Sequence, residues 1–321
     1  MGNINAASFP ADAIAKGAMG FLPRNTDGFI ALKAFPVRPV RADRGTFLTF
    51  DQGDTQRNYQ GYRSPLGEAG RIEIGSANTT YACSERALRY FISDAEARNA
   101  AASGLYNPTQ AHTQNVMAAV LRLIEEEWSS TYFTTSIWGD DQTTPTTKWD
   151  SDDGGDPIGD IGTAVNTISA QLDDDVNGEL VGICGSACWN TLARHGAFKD
   201  FSGVINVQGT QLANRQKVAM AMGLKDIMVS TAVKNTSLDD IAASNSDIVG
   251  DGFLVLKLGS PFAVNDPTAG ATFVSNPLKP RSYRIASNPE GSSWVEAAVT
   301  FDFVTPFTNG GVFIANVLAN S

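Results

Sequence analysis

A chain of 321 residues with 42% hydrophobic content is long enough to build roughly two packed domains. Its 24 basic and 34 acidic residues give a formal net charge of -10, which disfavours a free-standing grip on nucleic acid or on an anionic membrane. No apolar run approaches the ~18 residues that span a bilayer, and Met1 to Gly20 lacks the pattern of a secretion signal. Cys83, Cys184 and Cys188 are too few for a disulfide framework, so reduced, mostly buried thiols in a protein made in a cytoplasm are expected.

The first thirty residues, small and polar around "FLPRNT", read as an arm that lies on something else. From Phe35 the composition turns to β, first "FPVRPV", then "TFLTF". A polar, glycine-containing connection from Asp51 to Gly75 follows, and then "TTYACSERALRYFI". A connection of that length inside a packed domain predicts an extended β-hairpin that projects onto a partner. Asn107-Pro108-Thr109 opens a helix predicted to run to about Tyr132. Val116, Val120, Leu123 and Ile124 form its stripe, Met117, Leu121 and Trp128 widen it, and Gln114, Arg122 and Glu126 lie opposite. At ~1.5 Å per residue it would be about 35 Å long, a beam for the domain. Next come a helix from Pro157 to about Leu172, strand "ELVGICG", helices "SACWNTLARH" and "NRQKVAMAMGL", and strands "DIMVST" and "GFLVLKLG". Such alternation predicts a mixed sheet covered by helices. From Tyr283 the chain is β again, with "NPEG" as a turn.

Five aspartates, Asp150, Asp152, Asp153, Asp156 and Asp160, crowd the stretch "KWDSDDGGDPIGDI". As a calcium loop counted from Asp150, the fifth position is Gly154 and the twelfth Ile161, where a side-chain oxygen and a bidentate glutamate are needed. Helix capping is the favoured reading: Asp156 at the cap, Pro157 at the first helical position, and Asp160 where the helix dipole favours an anion. A metal site is the alternative. Cys184, Cys188 and His195 match no zinc spacing and read as buried packing. There is no G-x-S-x-G and no P-loop. No catalytic, cofactor-binding or metal-binding residue is assigned, and no enzyme is expected. The unusual feature is the polar hairpin with Arg57, Tyr59, Tyr62, Arg63, Glu68, Arg71 and Glu73. Arginine and tyrosine are enriched at interfaces, and mixed signs allow pairing between identical subunits.

The order of these pieces resembles the major capsid proteins of tailed bacteriophages. It is carried by "FIALKAFPVRPV", "YRSPLGEAGRIEIGSANTTYACSERALRYFISDAEARN", the helix Gln110 to Tyr132, "SDDGGDPIGDI", "NTLARH", "AMAMGLKDIMVSTAV" and "SSWVEAAVTFDFVTPFTNGGVFIANVL". The resemblance implies an α+β, Hong Kong 97-type capsid fold. Its N-terminal arm would be residues 1–30. A peripheral domain over 31–150 would contain an extended loop (45–80) and a spine helix (110–132). An axial domain over 151–280, return strands over 281–311 and a C-terminal strand over 312–321 complete the expectation. A hinge and helix cap is expected at Gly154, Gly155, Asp156 and Pro157. The implied function is self-assembly, as hexamers and pentamers, into the icosahedral head of a double-stranded DNA phage. The implied setting is a virion built in the host bacterial cytoplasm.

No cofactor and no membrane are implied. Implied partners are other copies of the chain, a separate scaffolding protein, a portal protein and, in some members, a decoration protein. Non-specific contact with packaged DNA is implied as well; Lys16, Arg24 and Arg122 are its candidates, although each reads first as a surface or inter-subunit charge. In some relatives a loop lysine forms an isopeptide cross-link, but no lysine lies between Lys33 and Lys148 here, so a shell without it is expected. Two alternatives stay open, an encapsulin-type nanocompartment and a metal- or carbohydrate-binding β-rich module.

Overall fold

A computed structural model describes residues 28–50, 56–58, 63, 68, 71–72, 75–104, 107–139, 144–151, 154–198, 211–237, 244–259, 266–284 and 293–319. In chain order the first half contains α1 (Ala31–Ala34), β1 (Val37–Pro39), β2 (Arg44–Phe50), β3 (Ser76–Ala82), β4 (Ser84–Ile92), α2 (Asp94–Ser103) and α3 (Pro108–Tyr132). Then follow α4 (Pro157–Leu172), β5 (Leu180–Gly185), α5 (Ser186–Arg194), α6 (Gln211–Ala221), β6 (Asp226–Ser230), β7 (Val233–Asn235) and β8 (Asn245–Asp247). β9 (Phe253–Lys257), β10 (Ala271–Arg284), β11 (Ser293–Val304) and β12 (Gly311–Ile314) complete the chain.

The first four-stranded sheet has the order β1-β10-β11-β4, with β1 parallel to β10 and the other pairs antiparallel. β11 alternates, placing Ala297, Val299, Phe301 and Phe303 on the face covered by Val116, Val120, Ile124 and Trp128 of α3. α3 starts where expected: Asn107 Oδ1 accepts the N–H groups of Thr109 and Gln110, and Pro108 takes the first helical position. Its 25 residues span about 37 Å. The buried stripe also takes in Glu125, Ser129 and Tyr132, while Leu123 is only half-buried. Phe35 anchors the chain entry, its ring edge-on to Trp128, Trp138 and Phe303 at 5.9, 6.4 and 5.8 Å.

The second sheet has the order β12-β9-β5-β6, with β5 and β6 parallel. Its inner strands read "LVGICG" and "FLVLK" because they are buried on both faces. Phe253, Val255, Cys184 and Ile314 face a core closed by Ile161, Ile168, Leu192 and Ala219 of α4, α5 and α6, whereas Ile183, Leu254, Leu256 and Phe313 join the core of α3. The long helix thus packs on both sheets, and their cores meet along it. The small β7–β8 ribbon is pinned to the outside of α3 by Lys234 with Glu126 at 2.7 Å and by Arg122 Nε, which donates to Val233 O at 2.9 Å.

The short elements α1, β7 and β8 have no counterpart in the sequence expectation, and two longer elements differ from it. β10 begins at Ala271, not at Tyr283, so a division at 280/281 would cut a continuous strand. Pro277 and Pro280 disguise it. They are tolerated because β1 pairs only with Thr272 to Val274, leaving the rest of that side of β10 an edge, and because the β11 register shifts between Val274 and Lys279. α2 was not anticipated at all. Its signal is the capping box Ser93-Asp94-Ala95-Glu96, in which Ser93 Oγ accepts the Glu96 N–H at 3.2 Å. The connection carrying "NPEG" lies outside the described residues.

Candidate functional site: the hairpin ribbon and its root

β2 and β3 pair antiparallel from Arg44↔Ala82 to Phe50↔Ser76. At the root, Phe47 and Tyr81 lie against Phe273 of β10, with ring centroids 5.4 and 4.6 Å apart. Gly45 stands opposite Tyr81, and a Cβ there would come within 2.6 Å of the tyrosine hydroxyl and 2.8 Å of its ring. Glycine leaves that ring free to lie flat across the strand. Asp302 of β11 accepts the Ala82 N–H at 2.8 Å, and Asp43 O accepts that of Cys83 at 2.7 Å. Cys83 Sγ faces Phe273 O at 3.6 Å; burial first, then the nearby Asp302 and Asp43 carboxylates, push its thiol above the ordinary value.

Away from the root the ribbon is bare among the described residues. Leu48 is 59% exposed, and each residue from Ser76 to Thr80 is exposed. A two-stranded ribbon open on both faces is marginal in water by itself. Of the hairpin residues singled out in the sequence, Arg57, Arg63, Glu68 and Arg71 are exposed, whereas Tyr59, Tyr62 and Glu73 lie outside the described residues. Ile72, beside Arg71, is 61% exposed. Gln56 Nε2 donates to Gln171 O near the C-terminus of α4 at 2.6 Å, so the connection meets its own chain at this point.

The aspartate stretch is structural where it is described. Asp156 Oδ1 accepts the Gly159 N–H at 2.9 Å, Pro157 follows at the first helical position, and Asp160 Oδ2 accepts the Trp149 indole N–H at 2.8 Å. Asp150 Oδ2 accepts the Ala319 N–H at 3.0 Å, while Trp149 N donates to Val317 O at 2.8 Å and Lys148 Nζ reaches Asn316 O. Asp152 and Asp153 lie outside the described residues. Gly154, at φ +148°, and Gly155, whose Cβ would meet Lys148 O at 2.5 Å, fold this turn tightly over Trp149. These bonds tie Lys148, Trp149 and Asp150 to the C-terminal segment and to α4. Among the described residues no group of three His, Cys, Asp or Glu is placed to hold a metal ion, and no helix is long and apolar enough to cross a membrane.

Cys184 and Cys188 are fully buried in the second core, and the hydrogen bond between their thiols, then burial, push the Cys188 thiol well up. His195 is buried against Phe198 and accepts the Ala197 N–H through Nδ1 at 3.2 Å. Lys16 and Arg24 lie outside the described residues, and Arg122 is engaged with β7. Sequence reasoning missed two polar joints. His112 of α3 stacks on Tyr90 at 3.9 Å and meets Glu96 of α2 at 2.6 Å. Glu125 is buried at the centre of α3. A glutamate inside an apolar helical stripe was the available signal.

Neither a protein-family model nor a curated protein matches the sequence. Solved structures do match. A phage-related protein from Bordetella bronchiseptica RB50 superposes with TM-score 0.65 at 17% identity, over 97% of this chain and 98% of that one. The capsid structure of cyanophage P-SCSP1u gives TM-score 0.57 at 10% identity, over 88% and 86% of the two chains. A virus-like particle from Pyrococcus furiosus gives 0.54 at 9% identity, over 95% and 97%. What these chains share across nearly their whole length is architecture: the α+β fold of this chain is the one seen in the cyanophage capsid and in the virus-like particle.

Proposed function

We propose that this chain is the repeating subunit of the icosahedral head of a tailed double-stranded DNA phage, arranged as hexamers and pentamers around the packaged genome. The observation that carries the reading is the β2–β3 ribbon: only two strands wide, largely exposed beyond its root, and seated on a fold shared with a phage capsid. Covering that ribbon with a neighbouring subunit would complete its burial, with Arg57, Arg63, Glu68 and Arg71 supplying the polar rim. Overlap of this kind raises the area buried per subunit above the ~1,600 Å² of an ordinary interface. Individually weak contacts then close a stable shell.

In this reading α3 and the first sheet are the peripheral domain, and the second sheet with α4 to α6 is the axial domain. β10 is assigned whole to the peripheral part, and β12 returns to the axial sheet by pairing with β9. The role is structural and non-enzymatic. A scaffolding protein and a portal protein are the expected partners during assembly in the host cytoplasm. A net charge of -10 suits a wall that should not adhere strongly to DNA driven in by a motor.

Electron microscopy of the concentrated purified protein tests this, with rings or closed shells expected. A chain that stays monomeric at all concentrations, alone and with its scaffolding protein, overturns the reading. Arg63→Glu with Arg71→Glu should block assembly and leave the monomer's thermal unfolding unchanged. The likeness to the virus-like particle from Pyrococcus furiosus supports a second reading, a protein nanocompartment. Shells isolated from the native source that hold an enzyme instead of DNA would favour it.

A further inference from the structure

Glu125 is 0% exposed where three elements meet. Oε2 accepts the backbone N–H groups of Ile30 and Ala31 at 2.9 and 2.8 Å, and Oε1 lies 2.9 Å from the Ser230 hydroxyl at the end of β6. Ser230 Oγ has a second acceptor, Gly28 O, at 3.5 Å, and itself accepts the Ala232 N–H at 3.4 Å. Its single hydrogen therefore has two directions open to it. With Glu125 ionised, the serine donates to Oε1. With Glu125 protonated, the new carboxyl O–H donates to Ser230 Oγ and the serine hydrogen turns to Gly28 O, while Oε2 keeps both backbone donors. Both protonation states are satisfied, by different hydrogen-bond patterns.

We propose that the Glu125–Ser230 pair is a proton-operated latch that holds the entry segment Gly28–Ala31 tightly when Glu125 is protonated and loosens it when the carboxylate is ionised. Desolvation of a buried carboxylate is the physical source of the difference. Burial pushes this carboxyl up against the opposing pull of its three hydrogen bonds and of Lys33 on α1. On α3 the adjacent Glu126 and Glu127 are committed to Lys234 and Arg86. On β6 the carboxylate of Asp226 stands at the other end of the strand, beside Arg215. The movement is local. Phe35, 0% exposed and held by Trp128, Tyr132, Trp138 and Phe303, fastens the segment a few residues on.

The latch belongs to the single chain and does not depend on shell formation. Amide hydrogen exchange of the full-length chain, followed from pH ~5 to ~9, reads it. Protection of the Ile30 and Ala31 amides should fall by up to ~10-fold for each unit by which the folded carboxyl exceeds its ordinary value. Amides of the β5–β9 pair should hold steady. In Glu125→Gln, whose carbonyl accepts the two backbone donors and whose NH₂ meets Ser230, the fall should vanish. In Ser230→Ala, which removes a donor to the charged form, it should move to higher pH. PH-independent protection in the parent chain, the same fall in Glu125→Gln, or an unmoved midpoint in Ser230→Ala would each overturn the latch.

Discussion

The Trp149 indole N–H donates to the Asp160 carboxylate at 2.8 Å, joining the residue before the aspartate stretch to the first turn of the helix after it. Trp149 is 0% exposed and stands edge-on to Phe253 of β9, ring centroids 5.6 Å apart. One pair thus seats α4 against the second sheet. Trp149→Ala should cost ~3–5 kcal/mol, the usual range for an emptied aromatic site. Asp160→Ala should cost ~1–3 kcal/mol by orphaning the indole donor. Chemical denaturation of both variants checks the order, and an Asp160 variant with unchanged stability would break the argument.

Calcium should do nothing. Asp150, Asp156 and Asp160 already accept hydrogen bonds from Ala319, Gly159 and Trp149. Thermal unfolding with and without millimolar calcium is expected to give one midpoint, and a calcium-dependent rise would revive the metal reading. Asp156→Ala should lose ~1 kcal/mol of cap energy, and Asp156→Ser should restore most of it.

Tyr132 gives the chain an alkaline limit. Its hydroxyl donates to Phe303 O at 3.0 Å, and burial, followed by the carboxylates of Asp302 and Glu127, pushes its pKa from 10.0 to about 12. The neutral phenol is the favoured folded form. Its contribution is therefore complete below pH 10 and is lost as pH rises through about 12. Up to about 3 kcal/mol disappears across that window. Tyr132→Phe should lower stability at neutral pH by ~1 kcal/mol and remove this part of the alkaline slope. Unfolding free energies measured on both sides of the window decide it, and parallel profiles would refute the assignment.

Gly45→Val should unseat the root of the ribbon, because the new side chain occupies the place of the Tyr81 ring. Both cores should persist, since neither contains Gly45. Limited proteolysis is expected to cut the connection between β2 and β3 faster, with the overall thermal midpoint little changed. Equal cleavage rates in parent and variant would show that Tyr81 does not hold the ribbon.

Period and punctuation in the sequence determined much of the fold. Asn107-Pro108 and Asp156-Pro157 fixed the starts of α3 and α4, since cap and proline chemistry are local. "LVGICG" and "FLVLK" announced strands, and the sheet's packing buries both of them throughout. The spacing of the aspartates already failed a calcium loop. Only the tertiary structure decided what depends on residues far apart in the chain. The prolines of β10 are admissible because β1 stops at its start and the β11 register shifts beside them. Glu125 is intelligible only once Ile30 and Ser230, 95 and 105 residues away, deliver their donors to it. The hairpin could be proposed from its length, but its bare faces and its seat on Phe273 are long-range packing facts, which no local window of sequence contains.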